Sequence, residues 1–399
     1  MQRFDYLIVG GGMVAANAVK GIRERDERGT IAIVTEEPNG PVTRPALSKL
    51  LWTDPDFTYD KIWMKPEEDA HTTLYTGSRV SEIDRENAQV TTEKGETYGY
   101  GRLLLATGGA PITLDNLPES ERVRYFRGVS DYDALRKLAN RGLHIAVVGG
   151  SYIGTELAAA LIQNDTRVTL IHPEEVLGEK MFSPSLAHHY HQRYVDKGVM
   201  LLGGRKVTGG QESGERVTLE LDDGQTLEVD GVALGLGVTP CVALAEKAGL
   251  EVDDGIVVDA GLRTADDHIF AAGDVARYPD PIMGAWRAEH VDNANRMGTT
   301  VGRIMAGSDE QYTHTPFFYS MIFDMKWRAV GSIDSSLSII EDETDDGERA
   351  VHYYLDGERV KGVLLYNVEA EKLDDARAVL ADTSPQSRET LIGRIELGG

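Results

Sequence analysis

Two glycine clusters in this chain of 399 residues stand where backbone N–H groups, not side chains, would do the binding. Gly10-Gly11-Gly12-Met13-Val14-Ala15 fits G-x-G-x-x-A directly after the apolar run at residues 6–9, and Gly149-Gly150-Ser151-Tyr152-Ile153-Gly154 follows the apolar run at residues 145–148. A strand that turns through glycines into a helix bends tightly and comes close to a pyrophosphate, whose charge then sits against the unpaired N–H groups of the helix start. One such turn is a weak signal, because glycines also join strands to helices where nothing binds. Two in one chain point to two dinucleotides. Glu36 and Glu37 close the next predicted strand, residues 30–34, about twenty residues past the first glycines, where a carboxylate accepts hydrogen bonds from an adenosine ribose. Asp274 ends a later apolar strand in Gly-Asp and is placed to accept from a sugar-alcohol hydroxyl.

Two further groups carry charge into the same region. Glu156 lies beside the second glycines on the helix they open, and it is expected to face a bound ligand instead of water. Lys49 follows a proline-bounded loop after the first nucleotide unit, where the far end of a cofactor would arrive. Cys241 is the sole cysteine, which excludes an intramolecular disulfide, a CxxC zinc site and a CxxxxC redox pair. His188, His189 and His191 share one predicted helix, but no acid or thiolate completes a ligand set, so they are expected to be exposed imidazoles and no metal is expected.

Composition bounds the rest. Hydrophobic residues make up 41% of the chain, an α/β globular balance with room for two or three cores. The formal charge of -24 is spread along the sequence, which disfavours nucleic acid and anionic membrane surfaces as partners. No run approaches the roughly eighteen apolar residues of a membrane span, so a cytoplasmic protein is expected.

The elements that must position these residues follow from periodicity. Helices are predicted to about residue 27 after the first glycines, over 131–141, from the second glycines, around 183–198 and over 288–305, the last with Glu289 and His290 in its first turn and Gly298 and Gly302 in a closely packed middle. Residues 57–100 read as a small meander, and residues 216–221 and 226–229 as a hairpin around Asp222-Asp223-Gly224. Beyond residue 310 the pattern becomes an antiparallel sheet covered by a helix at 371–381, with residues 341–347 as a charged loop tip. The fold class is α/β: two Rossmann-like dinucleotide-binding domains, the second inserted in the first, plus a C-terminal α+β domain. The boundaries are 1–112 with 241–310, then 113–240, then 311–399.

This arrangement resembles the FAD-dependent pyridine nucleotide-disulfide oxidoreductase superfamily, and within it the ferredoxin reductases of the putidaredoxin reductase type and, more closely, apoptosis-inducing-factor-like flavoproteins. The likeness runs nearly end to end. It is carried by TEEPNGPVTRPALSKLLW (residues 35–52), GGSYIGTELAAAL (149–161), HPEEVLGEK (172–180), GLGVTP (235–240), AAGD (271–274) and RAEHVDNA (287–294), with Arg-Pro-x-Leu-Ser-Lys the most specific.

The resemblance implies FAD on Gly10, Gly12, Met13 and Val14, with Glu36 on its ribose, further contacts from Arg44, Val80, Arg127 and Asp274, and His290 and Val291 bordering the isoalloxazine. Lys49 matches the family lysine near flavin N5, paired with the glutamate that Glu156 matches; these two are the implied catalytic residues. NADH is implied on Gly150, Ser151, Tyr152 and Ile153, with Tyr152 over the flavin face and Glu174, Lys180, Gly237, Glu289, Tyr319 and Asn367 nearby. Ser151 stands where the family usually has glycine, and Tyr319 where it has tryptophan. The implied activity is NADH-dependent reduction of FAD, followed by electron transfer to a ferredoxin- or rubredoxin-like iron-sulfur protein or another acceptor. The alternative is a slow NADH-binding flavoprotein with a signalling or assembly role, and a homodimer is left open. Disulfide reductase chemistry is excluded, since it needs a cysteine beside the flavin and residues 35–52 contain none.

Overall fold

The computed structural model describes residues 1–398 and divides into two compact units. Met1–Thr43, Tyr59–Ala110 and Thr239–Phe317 form the first; Arg44–Thr58, Pro111–Val238 and the chain from Phe318 on form the second.

The first unit is built on Gln2–Val9, whose last four residues are buried on both faces and pair in parallel with Ile31–Val34 on one side and Thr97–Leu105 on the other. Thr72–Tyr75 extends the sheet beyond Ile31–Val34, and Ile269–Ala271 pairs in parallel with the end of Thr97–Leu105. Continuous apolar runs suit such strands, since both faces are covered by other elements. The expected meander is Val80–Asp84, Gln89–Thr92 and the start of Thr97–Leu105, all antiparallel. Helix Met13–Arg23 lies against helix Val291–Met305 so closely that a Cβ on Gly302 would stand 2.2 Å from the Ala18 carbonyl oxygen, and one on Gly21 2.0 Å from that of Thr299. The second of these helices begins at Val291, not 288. Glu289 and His290 therefore precede it, and His290 is its extended N-cap residue.

The second unit repeats the plan. Its parallel sheet runs Met200–Leu202, Arg167–Ile171, His144–Val148, Gly231–Leu234, Val123–Tyr125, with helix Tyr152–Ile162 leaving the third of these strands through the glycine turn. The predicted hairpin forms over Arg216–Leu221 and Thr226–Val229, joined by Val207–Ser213. The C-terminal sheet has the order Phe317–Ile322, Met325–Gly331, Arg359–Tyr366, Ala350–Asp356, Ser338–Glu343, with helix Leu373–Ala381 beside it.

Two expectations are corrected here. Residues 341–343 belong to strand Ser338–Glu343 and are not a loop tip; their charges are met by partners, Asp342 accepting from the Gly393 N–H and Glu341 from Ser185 Oγ. The three histidines on helix Pro184–Asp196 are not all exposed imidazoles either. His188 and His189 are exposed, but His191 is half-buried and its Nδ1 accepts from the Leu177 N–H at 3.1 Å. Among the described residues no helix is long and apolar enough to cross a membrane.

Candidate functional site

The two glycine turns are built alike. Gly10 (φ 114°) and Gly149 (φ 117°) take a backbone conformation that side-chain-bearing residues rarely adopt, and each lies on the carbonyl of the neighbouring strand end: a Cβ would stand 2.1 Å from the Ala106 oxygen or 2.3 Å from the Gly235 oxygen. The second glycine of each faces the residue after the adjacent strand. A Cβ on Gly11 would stand 2.6 Å from Thr35 Oγ1, and one on Gly150 2.8 Å from His172 Cβ. The third position differs in kind. A Cβ on Gly12 meets nothing within 4 Å, and its counterpart Ser151 is exposed with no capping hydrogen bond. A side chain at this position therefore meets no steric obstacle, and it stands in the open space before the free N–H groups of a helix eleven residues long. Both turns are closed by backbone at the first glycine and open at the third, a geometry that can receive a phosphate.

Within the first unit Gly10, Gly12, Met13 and Val14 form that turn and the start of its helix, Asp274 follows a glycine packed against Val14, and His290, the N-cap residue of helix Val291–Met305, lies within electrostatic reach of Asp274. Gly273, the residue before Asp274, packs on Val14, where a Cβ would come to 2.4 Å of Val14 Cγ2. Burial pushes His290 down to about 4, against the opposing pull of Asp274 and Asp292, so its imidazole is neutral at pH 7. Glu36 is exposed at the end of its strand, where Arg79 Nε reaches it at 3.5 Å and Glu93 at 3.6 Å. Val80 is buried beside that arginine. Glu289 is ion-paired with Arg287 at 2.5 Å, and Arg287 also donates to the Asp274 carbonyl at 3.1 Å.

The second unit holds the charged pair. Arg44–Leu47 is a 3-10 turn and Leu50–Thr53 a short helix, and between them Ser48 and Lys49 reach Glu156 at the start of the second turn of helix Tyr152–Ile162. Lys49 Nζ and Ser48 Oγ each lie 2.6 Å from Glu156 Oε2, while Ser320 Oγ donates to Oε1 at 2.8 Å. The Lys49 side chain is 14% exposed and that of Glu156 2%. Lys49 Nζ also stands 5.4 Å from the centre of the Tyr319 ring. Trp52 anchors the loop: its indole donates to the Leu47 carbonyl, and its ring meets Tyr132 edge-on. Arg44 donates to the Arg127 carbonyl at 2.9 Å, and the Arg127 N–H is held by Asp131.

On the side of the second glycine turn, Tyr152 is packed against Phe318 at 6.0 Å and Trp327 at 5.3 Å, and burial pushes its phenol well above the usual range. Glu174, at the end of the adjacent strand, receives Lys180 Nζ at 2.6 Å; His172 Nδ1 stands 3.7 Å from its other oxygen. Gly237 (φ 97°) accepts the Ile112 N–H at 3.0 Å. Asn367 is otherwise engaged: its side-chain amide accepts from the Lys326 N–H and donates to the Glu348 carbonyl, closing the ends of the C-terminal strands.

Sequence reasoning missed Ser48 and Ser320 as partners of Glu156, and Phe318 and Trp327 as the walls of Tyr152. Ser48 sits inside the most specific motif, directly before Lys49, and that adjacency was the available signal. Nothing local to Ser320, 164 residues from Glu156, announces its contact.

Comparison with known proteins agrees with these features. Residues 4–298 match the family described as pyridine nucleotide-disulphide oxidoreductase. The ferredoxin–NAD(+) reductase component of the anthranilate 1,2-dioxygenase system of Burkholderia cepacia is 35% identical over 83% of this chain and 82% of its own length. Peroxisomal monodehydroascorbate reductase 2 of Oryza sativa subsp. japonica is 30% identical over 94% and 84%. The crystal structure of the covalent putidaredoxin reductase-putidaredoxin complex superposes with a TM-score of 0.86 at 28% identity, covering 96% of this chain and 97% of that one. The chain belongs to the pyridine nucleotide-disulphide oxidoreductase family, as an oxidoreductase that uses FAD and NAD(H).

Proposed function

We propose that the protein takes hydride from NADH onto non-covalently held FAD and passes the electrons to a small iron-sulfur protein. The observation that carries this reading is the buried Lys49–Glu156 pair at 2.6 Å in a chain whose one cysteine, Cys241, leaves no dithiol to relay electrons. FAD, when bound, supplies the hydride and one-electron chemistry; the protein supplies binding, alignment and charge.

The first glycine turn would hold FAD through Gly10, Gly12, Met13 and Val14, with Glu36 and Asp274 accepting from hydroxyls and Val80, His290, Val291, Arg44 and Arg127 as further contacts. A neutral His290 suits a place beside an apolar ring system. The second turn, Gly150 to Ile153, would hold NADH, with Glu174 on a ribose and Lys180, Gly237 and Tyr319 beside it. Glu289 and Asn367 fit this set less well, since each side chain is already held by other groups. Lys49 places a cation near the flavin, and Glu156 makes that cation tolerable in a buried position. The functional division proposed is residues 1–112 and 241–310 for FAD, 113–240 for NADH and 311–399 as the C-terminal domain, although Arg44–Thr58 packs with the second compact unit.

The acceptor class is supported by the named reductase component of the Burkholderia dioxygenase system and by the putidaredoxin complex. A surface of -24 repels an acidic carrier at low salt, so a carrier with a basic face, or an ionic strength that screens the repulsion, is part of the proposal. Stopped-flow reduction by NADH, followed by mixing with a panel of ferredoxins and a rubredoxin, tests it. Rapid reoxidation by a carrier is expected. A reduced flavin that persists in the presence of every carrier, and loses electrons only to a small organic radical or oxygen, would refute it.

A further inference from the structure

The charged pair has more partners than an ion pair needs. Both oxygens of Glu156 are engaged, Oε2 by Ser48 Oγ and Lys49 Nζ at 2.6 Å each and Oε1 by Ser320 Oγ at 2.8 Å. All three partners donate, and two of them are inaccessible: Ser48 is 2% exposed and Ser320 0%, with Glu156 itself at 4%. A carboxylate held by one cation at one oxygen can turn about its last bond and carry the cation with it. Held at both oxygens by hydroxyls from two separate elements, it cannot.

We propose that Ser320 and Ser48 are positioning residues that clamp the Glu156 carboxylate from two sides, so that the Lys49 ammonium is fixed in one place. Ser48 comes from the turn that carries Lys49 itself, which ties the lysine's own backbone to the carboxylate it pairs with. Ser320 comes from strand Phe317–Ile322 of the C-terminal sheet, so that sheet takes part in setting where the ammonium stands. Tyr319, the preceding residue on the same strand, offers the face of its ring to the Lys49 ammonium, a second hold on the cation from the same element. The clamp rests on the functional reading given above.

The test uses the FAD-loaded protein and its Ser320→Ala, Ser320→Thr, Ser48→Ala and Lys49→Ala forms. Three quantities are read: the rate of flavin reduction by NADH, the reduction potential of the bound flavin, and the melting temperature after FAD removal. Ser320→Ala is expected to slow reduction about tenfold, the scale of one hydrogen bond to a charged group. It should also move the flavin potential in the negative direction and lower the melting temperature of the FAD-free protein, with FAD content unchanged. Ser320→Thr, which keeps the hydroxyl, should restore the potential. In a Glu156→Gln background Ser320→Ala should add little, because the two act through one group.

A Ser320→Ala protein with parental potential and rate, alongside a Lys49→Ala protein in which both change, overturns the clamp and leaves the functional reading standing. If Lys49→Ala also changes neither, the functional reading of the pair falls with it. A Ser320→Ala protein that fails to hold FAD is judged on Ser48→Ala, and a parental potential there overturns the proposal.

Discussion

Exchanging NADH for NADPH adds a 2′-phosphate at the ribose, and under the proposed assignment of Glu174 to that ribose the phosphate meets a carboxylate paired with Lys180. Glu174 Oε1 is 2.6 Å from Lys180 Nζ, with the glutamate side chain 13% exposed and the lysine 72%. A charge brought to about 5 Å of that carboxylate is opposed by roughly 3 kcal/mol at an effective dielectric of about 20, and by under about 1 kcal/mol if water screens it fully. Lys180 attracts the same phosphate, but so exposed a cation recovers at most about 1 kcal/mol. The hydrogen bonds that Glu174 would accept from the NADH ribose are lost in addition, about 1.5 kcal/mol for a charged acceptor. The net preference for NADH is therefore at least about 1.4 kcal/mol, or tenfold in kcat/KM. Rates of flavin reduction with each coenzyme, in the parent and in Glu174→Ala and Lys180→Ala, check this. Lys180→Ala should widen the preference about threefold, and Glu174→Ala should narrow it. Equal efficiencies in the parent, or better use of NADPH after Lys180→Ala, would refute the assignment of Glu174 to the ribose.

Other outcomes follow from the same geometry. Lys49→Ala should slow flavin reduction by NADH by more than it lowers FAD retention, measured as released FAD per chain, because the proposed role of the lysine is to act on flavin charge and not on the adenosine end. Gly154→Ala drives a Cβ to 1.9 Å of the Gly149 carbonyl oxygen and should cost about 3 kcal/mol or more in urea unfolding, whereas Gly12→Ala, with nothing within 4 Å, should leave FAD-free stability within about 1 kcal/mol of the parent while weakening FAD binding. His290, pushed down to about 4, and His172, lowered by burial, take up protons more readily when unfolded. Between about pH 6.5 and 4 the unfolded chain binds the extra protons, so stability is lost as pH falls through that window; urea midpoints of the FAD-free protein at pH 7 and 5 should show the loss, reduced in His290→Asn. A chain of net charge -24 should melt at higher temperature in about 1 M salt, where the screening length is about 3 Å, than in 0.1 M, and a fall would contradict self-repulsion as a governing term.

Much of this architecture is legible in the sequence, and unevenly so. The glycine turns, the apolar strands that feed them and the Arg216–Val229 hairpin announce themselves through residues adjacent in sequence. Ser338–Glu343 did not, because its three acidic residues argue against a strand until Gly393, Ser185 and His352 are seen to meet them. Helix Val291–Met305 starts three residues later than its sequence suggests, since Glu289 is a good helix former whose carboxylate is instead held back by Arg287. The ion pair could be named from motifs. Its two serines could not, because one of them approaches from a different sheet, and no local pattern encodes such a meeting.

The grouping of Arg44–Thr58 with the second unit bears on how the protein is made. These residues leave the ribosome long before their partners: Ser48 waits 108 positions for Glu156, and Glu156 another 164 for Ser320. Until residue 111 is made the early segment has no neighbour of its own unit, and loop closure over such distances is slow. Excision meets the same obstacle. A fragment beginning at Pro111 would keep the Glu156 carboxylate while discarding Ser48 and Lys49, leaving a buried charge without its cation. The second unit is thus not a portable module, and a swap of nucleotide-binding halves between relatives would have to carry the Arg44–Thr58 segment along with the half it completes.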